Sequence, residues 1–244
     1  MPLASQTATP NLLLRALAAE DFALLQPHLE RVELPLREVL YVPNEAIERV
    51  YFPEGGVASI VVEEEGGGMI EAGLFGLDGM SGSAVVLGSG QSPHHSMIQV
   101  DGGPAMVIGS DKLMDACRGS HELHLVLLRF AHTLSIQAAA TAAANANYEL
   151  PERLARWLLM CHDRSDGDRM RLTHEFMGMM LAVRRSGVTV TLHALEATGA
   201  IRSTRGTVSV LDRDRLAEIA GESYGVPENE YRRLIAKFGK NAEQ

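Results

Sequence analysis

Cysteine is nearly absent: Cys117 and Cys161 are the two in 244 residues. That excludes a disulfide scaffold and a four-thiolate zinc or iron–sulfur site, and leaves two reduced, mostly buried thiols as the expectation. Long apolar runs are missing too. Nowhere do 18 apolar residues stand together, and the N-terminus lacks a basic start followed by an apolar block and a cleavage site, so a cytoplasmic protein away from membranes is expected. There is no Gly-rich phosphate loop, no G-x-S-x-G, no H-E-x-x-H and no recognisable grouping of Ser, His and Asp, so no catalytic residue is assigned and the chain reads as no enzyme. What is present, 46% hydrophobic residues at a mean hydropathy of 0.00, suits two soluble domains.

Positive charge is in deficit overall, with a net −9, which by itself argues against a polyanionic partner. Its distribution reverses that reading. Residues 1–149 hold 7 Lys and Arg against 18 Asp and Glu, whereas residues 150–244 hold 15 against 13. Within 169–205 six arginines stand beside only Glu175 and Glu196, a local basic patch on an acidic protein.

Leu13, Leu14, Leu17, Phe22 and Leu25 predict helix over residues 11–29, with Asp21 available as a cap. From Val32 to Val107 short runs rich in Val, Ile, Tyr and Phe (39–42, 50–52, 57–62, 69–75, 84–87 and 96–100) alternate with Gly and Pro turns, including Gly66 to Gly68. This is the pattern of an antiparallel β-sandwich or roll. Residues 121–147 then contain neither Gly nor Pro. Leu123, Leu127, Phe130, Leu134, Gln137, Thr141 and Ala144 step by four and three, a seam that either packs on its own domain or joins two copies; the dimer helix is the expectation. A hinge at 146–151 precedes a helix opened by Pro151 and faced by Leu154, Trp157, Leu158 and Cys161, with Trp157 in the core.

The segment 172–201, LTHEFMGMMLAVRRSGVTVTLHALEATGAI, carries the function. Thr173 caps a short helix, a break falls at Ala182 to Arg184, and a second helix turns Val188, Leu192 and Leu195 inward. Two short helices with interlocking apolar faces form a helix-turn-helix. Arg185, Ser186, Thr189, Val190 and His193 lie away from the core, where they can enter a major groove. Gly199 stops the helix, and IRSTRGTVSV (201–210) alternates around Arg205-Gly206 as a β-hairpin, a wing tipped with arginine.

These motifs, with LDRDRLAEIA after the wing and the weaker VYFP (50–53) and GLDGMSG (76–82), resemble the Crp/Fnr family of transcription regulators over nearly the whole chain. The resemblance implies an α+β protein with three parts. These are an N-terminal antiparallel β-roll of double-stranded β-helix or jelly-roll type (1–118), a dimerisation helix and hinge (119–148), and a winged helix-turn-helix (149–244). It implies a homodimer on palindromic double-stranded DNA, with RNA polymerase as a further partner. Arg185, Ser186 and Val190 fall at base-reading positions, and Thr173, Arg184, Gly187 and His193 at phosphate-contacting ones. Arg202 and Arg205 on the wing read either as phosphate contacts or as surface charge. The family more often has an acidic residue where Ser186 stands and a longer polar one at Val190, so its operators do not transfer.

Family members that bind cyclic AMP use a Gly-Glu pair and, about ten residues later, an arginine. Here Gly82 precedes Ser83, and Ser92-Pro93-His94-His95 holds no arginine, so the strongest charge-assisted bonds to a cyclic phosphate are lacking. Gly82, Ser83, His94 and His95 remain the candidate effector pocket, for an unidentified small molecule if any. No metal or other cofactor is expected. The competing reading is a cyclic-nucleotide-responsive signalling module.

Overall fold

The computed structural model describes residues 4–63 and 68–240, so the expected turn at Gly66 and Gly67 lies outside the described residues. Two short helices open the chain, α1 (Leu12–Arg15) and α2 (Ala19–Leu25). Asn11 caps α1 by accepting from Leu14 N at 3.0 Å, while its amide donates to the carbonyls of Pro53 and Gly79 at 2.9 Å each. The cap expected at Asp21 is not formed: α2 starts after Ala18 without a side-chain cap, and Asp21 is buried in its first turn.

Seven antiparallel strands build the roll. One sheet runs β1 (Glu30–Leu34), β7 (Gly103–Gly109), β3 (Arg49–Pro53); the other runs β2 (Val39–Tyr41), β6 (His95–Val100), β4 (Val57–Glu63), β5 (Met69–Phe75). Phe52 and Ile108 from the first and Phe75 and Ile98 from the second share one core. The segment 84–87, expected as a strand, is instead α3 (Ser83–Val86). Gly82 turns the chain with φ +67, and Val85 and Val86 are buried in the roll core, so packing overrides the strand preference of valine.

After α4 (Ser110–Gly119), α5 runs unbroken from His121 to Asn147, capped by Ser120, whose hydroxyl accepts from Leu123 N at 3.2 Å. Among the described residues it is the one helix long and apolar enough to cross a membrane. In this fold Leu123, Leu127 and Phe130 are fully enclosed by their own chain, and Leu134 packs against the same core. At Leu123, Leu127 and Phe130 the roll covers the apolar face that the heptad spacing marks, while Leu134 stays half-buried and open to a partner. Phe130 approaches so closely that a Cβ on Gly79 would stand 2.2 Å from its ring.

The C-terminal part begins with α6 (Leu150–His162), whose first turn holds Pro151 and a Glu149–Glu152 capping box. Its core is not separate. Leu154, Leu158, Met177, Met180 and Leu192 form one cluster with Val57, Val61, Leu74 and Val100 of the roll. The turn 76–82 is the joint. Asp78 receives Arg164 in a two-point pair, Nε to Oδ1 at 3.0 Å and Nη2 to Oδ2 at 2.7 Å, and its carbonyl accepts from the Tyr231 hydroxyl at 2.6 Å.

A second polar contact crosses the interface. Glu71 on β5 accepts from Trp157 Nε1 at 2.8 Å and from the Ser59 hydroxyl. Complete burial pushes its carboxyl up to about 7, against the pull of those two bonds and of Arg156 and Arg164. The folded protein thus holds a proton that the unfolded chain releases above its ordinary value of 4.5. Stability from this group is fully present below that value and lost as pH rises through about 7. The loss is expected to reach roughly 3 kcal/mol. Urea titrations followed by the fluorescence of Trp157 should show this slope, and Glu71→Gln should flatten it; an unchanged slope in the variant would assign it to another group.

Candidate nucleic-acid interface

Met170 and Leu172 anchor the strand leading into the site: β8 (Arg169–Met170) pairs with β10 (Thr207–Val210), and β10 pairs with β9 (Ile201–Thr204). Helix α7 (His174–Met180) follows, capped by Thr173, whose hydroxyl accepts from Phe176 N at 3.1 Å. The break falls where the sequence places it. Val183 N donates to Gly178 O at 2.8 Å, and Ala182 takes φ +53. A Cβ on Gly178 would meet Val183 O at 2.8 Å, so this tight connection requires glycine at 178.

Helix α8 (Arg185–Ala197) buries Val188, Thr191, Leu192 and Leu195. Its outer face presents Arg185, Ser186, Val190 and His193 to solvent, while Gly187 and Thr189 are half-buried. Thr189 is committed inward: its hydroxyl donates to Arg185 O at 3.1 Å and sits 2.9 Å from His174 Nδ1, tying α7 to α8. No side chain caps the start of α8, where Arg184 is the N-cap.

The wing is β9 and β10, turning at Arg205 and at Gly206 with φ +72. It is fixed at two points, to α8 and to the segment before α7. Glu196 on α8 accepts from Ser203 N at 2.6 Å, and Leu172 N donates to Gly206 O at 3.1 Å. Arg169, Arg171, Arg184, Arg185, Arg202 and Arg205 are all exposed on this one domain. Of the six, only Arg171 has an acidic partner among the described residues, Asp101 at 3.7 Å. Unpaired guanidinium groups around a protruding helix and a hairpin make a surface suited to phosphates.

The candidate effector residues lie on the roll, Gly82 and Ser83 at α3 and His94 and His95 at the start of β6. Gly82 and Ser83 begin α3, and His95 lies across β4, 3.0 Å from Glu63 Oε2. Gln137 of α5 is held against β5 of the roll: it accepts from Leu74 N at 2.7 Å and donates to Leu74 O at 3.1 Å. Two cavities of about 670 and 620 Å³ lie elsewhere, beside α1 and residues 236–240, and under residues 4–10. Both cysteines are buried and unpaired, and burial pushes the Cys117 thiol up to about 11. Sequence reading misses the ionic joint of Asp78 and Arg164, and beside it Asp163, Arg213 and Tyr224 form a further cluster, with Arg213 Nη2 2.6 Å from Asp163 Oδ1. In the sequence alone the charges of 163–168 read as a solvated loop.

A β-roll, a long helix and a winged helix-turn-helix carrying exposed arginines make up the described residues. Residues 152–219 match the Crp-like helix-turn-helix domain, and the chain shares its fold with solved Crp/Fnr-family transcriptional regulators. A crp/fnr-family structure from Eubacterium rectale superposes with a TM-score of 0.65 at 16% identity, covering 85% of this chain and 97% of the other. A CRP-family transcriptional regulator of Thermus thermophilus gives 0.64 at 22%, covering 80% and 98%. The c-di-GMP-responsive global regulator CLP of Xanthomonas campestris gives 0.63 at 16%, covering 79% and 99%. At these identities the likeness establishes the fold. No curated protein matches the chain in sequence.

Proposed function

We propose that the chain is a sequence-specific transcription regulator that binds a palindromic operator in duplex DNA as a homodimer, in the cytoplasm, without cyclic AMP as its effector. The observation that carries this reading is the outer face of α8, with Arg185 at its start and five further exposed arginines around it. In this role Arg185, Ser186 and Val190 read base edges. Thr173, Arg184, Gly187, His193, Arg202 and Arg205 meet phosphates. A twofold dimer would set two such helices about one helical turn apart, which makes the operator a palindrome. RNA polymerase is the expected further partner.

The partner-facing surface of α5 is the side away from the roll. Leu125, Leu128 and Ile136 are half-buried and belong to neither core, and with His132, Ala139, Ala143 and Ala146 they repeat at three and four residues. The reading against cyclic nucleotides is supported by the sequence, which has no arginine between Arg49 and Lys112, and by Gln137, which ties α5 directly to β5.

Selection of bound sites from random duplexes tests the proposal. Arg185→Ala is expected to cost about 1–3 kcal/mol on the preferred site and relax one position per half-site, while Arg205→Ala weakens all sequences alike. Equal losses for both on specific and random DNA would remove Arg185 from base reading. Cyclic AMP should leave the affinity unchanged; a shift would restore the signalling reading.

A further inference from the structure

Val190 is 71% exposed, more than any other large hydrophobic side chain among the described residues. It stands in the middle of α8 on the side opposite Val188, Leu192 and Leu195, one turn after Ser186 and one turn before His193. Among the described residues it belongs to neither core. A β-branched residue at an exposed helix position has a weak helix propensity, and its methyl groups gain nothing from water. The nearby Thr189 hydroxyl is turned toward Arg185 O and His174. The centre of the outward ridge therefore offers two methyl groups and no hydrogen-bonding atom.

A side chain without donor or acceptor can distinguish base pairs in the major groove only by an apolar feature, and the groove has one: the methyl group on C5 of thymine. A 5-methylcytosine presents the same group. We propose that Val190 reads a C5-methyl group in each operator half-site. The proposal rests on α8 being the recognition helix. Arg185 lies five residues earlier, about 7.5 Å along the helix at 1.5 Å per residue, so the methyl falls on the order of two base-pair steps from the guanine that Arg185 reads. Contact would bury the methyls of both partners, which sets a discrimination of about threefold to tenfold in Kd.

The full-length protein is titrated against its selected operator with each thymine replaced in turn by deoxyuridine, which removes the methyl and leaves every hydrogen-bonding group. One thymine per half-site should show the threefold to tenfold loss, and Val190→Ala should abolish that difference while folding normally, since the side chain supports nothing. In a second arm that T·A pair becomes C·G, with and without a methyl on cytosine C5. Tighter binding of the methylated duplex shows that the methyl alone is read, and no gain restricts the contact to thymine. A preferred palindrome whose affinity ignores every thymine methyl, or a methyl effect that survives in Val190→Ala, overturns this proposal alone. Failure to select any preferred duplex overturns the DNA-binding reading and this proposal together.

Discussion

Arg164→Met is expected to destabilise the protein by about 3–5 kcal/mol, because it strips one partner from a buried ion pair and leaves the other charged in the core. Arg164 and Asp78 are 3% and 2% exposed, lie 86 residues apart in the chain, and form a two-point ion pair between the roll and the C-terminal half. Burial opposes the guanidinium's charge, and Asp78, Glu228 and Asp163 outweigh it, so its pKa is held above the ordinary value. The remaining donor, Nη1, reaches Met160 O at 2.9 Å, and the guanidinium lies 4.8 Å from the Phe238 ring centre. In the variant the Asp78 carboxylate would keep only Gly76 N, at 2.8 Å. Asp78→Asn should lose less, since the amide keeps a carbonyl acceptor for Arg164. The single tryptophan, Trp157, is hydrogen-bonded across the same interface, so its emission in urea reports the loosening directly. A loss below about 1 kcal/mol for Arg164→Met would mean that water reaches the pair, as it does at surface ion pairs.

The same joint shows what a single sequence can and cannot disclose. Helix α5 and the helix-turn-helix are legible to within a residue or two because their signals are local. No Gly or Pro interrupts 121–147, and Thr173, the break at Ala182 to Arg184 and Gly199 punctuate α7 and α8 where the chain does change course. The wing is legible for the same reason. The strands β1 and β7 escape notice: Glu30–Leu34 alternates charged and apolar residues at modest length, and Gly103–Gly109 opens on Gly-Pro, which reads as a turn. Arg164 and Asp163 look like solvated loop residues because their partners, Asp78 and Arg213, are supplied by distant segments. Val190 carries its signal openly, as an apolar residue on the arc that helical spacing turns away from the core, and it is 71% exposed in the fold.

The seam of α5 turns this distinction into an experiment. Leu127 is 0% exposed, enclosed with Leu123 and Phe130 by the roll, whereas its neighbour Leu128 lies on the far side of the helix and packs against neither core. Leu127→Asp must bury a carboxylate among hydrocarbon with no partner, a cost of several kcal/mol beyond the roughly 2–5 kcal/mol typical of losing a core leucine. That is on the order of the whole stability of a domain, so this variant is expected to lose cooperative unfolding altogether. Leu128→Asp should keep the fold and its thermal midpoint per subunit. It would place two like charges opposite each other across a twofold axis, and so is expected to sediment as a 26.4 kDa monomer at micromolar concentration where the parent is a dimer. Its affinity for a palindromic operator should fall to that of one half-site. If Leu128→Asp remains dimeric, the pairing face lies elsewhere on the molecule; if the parent itself is monomeric, the homodimer reading fails. A soluble, dimeric Leu127→Asp would show instead that the roll does not cover this face in solution, and would return the seam to the partner.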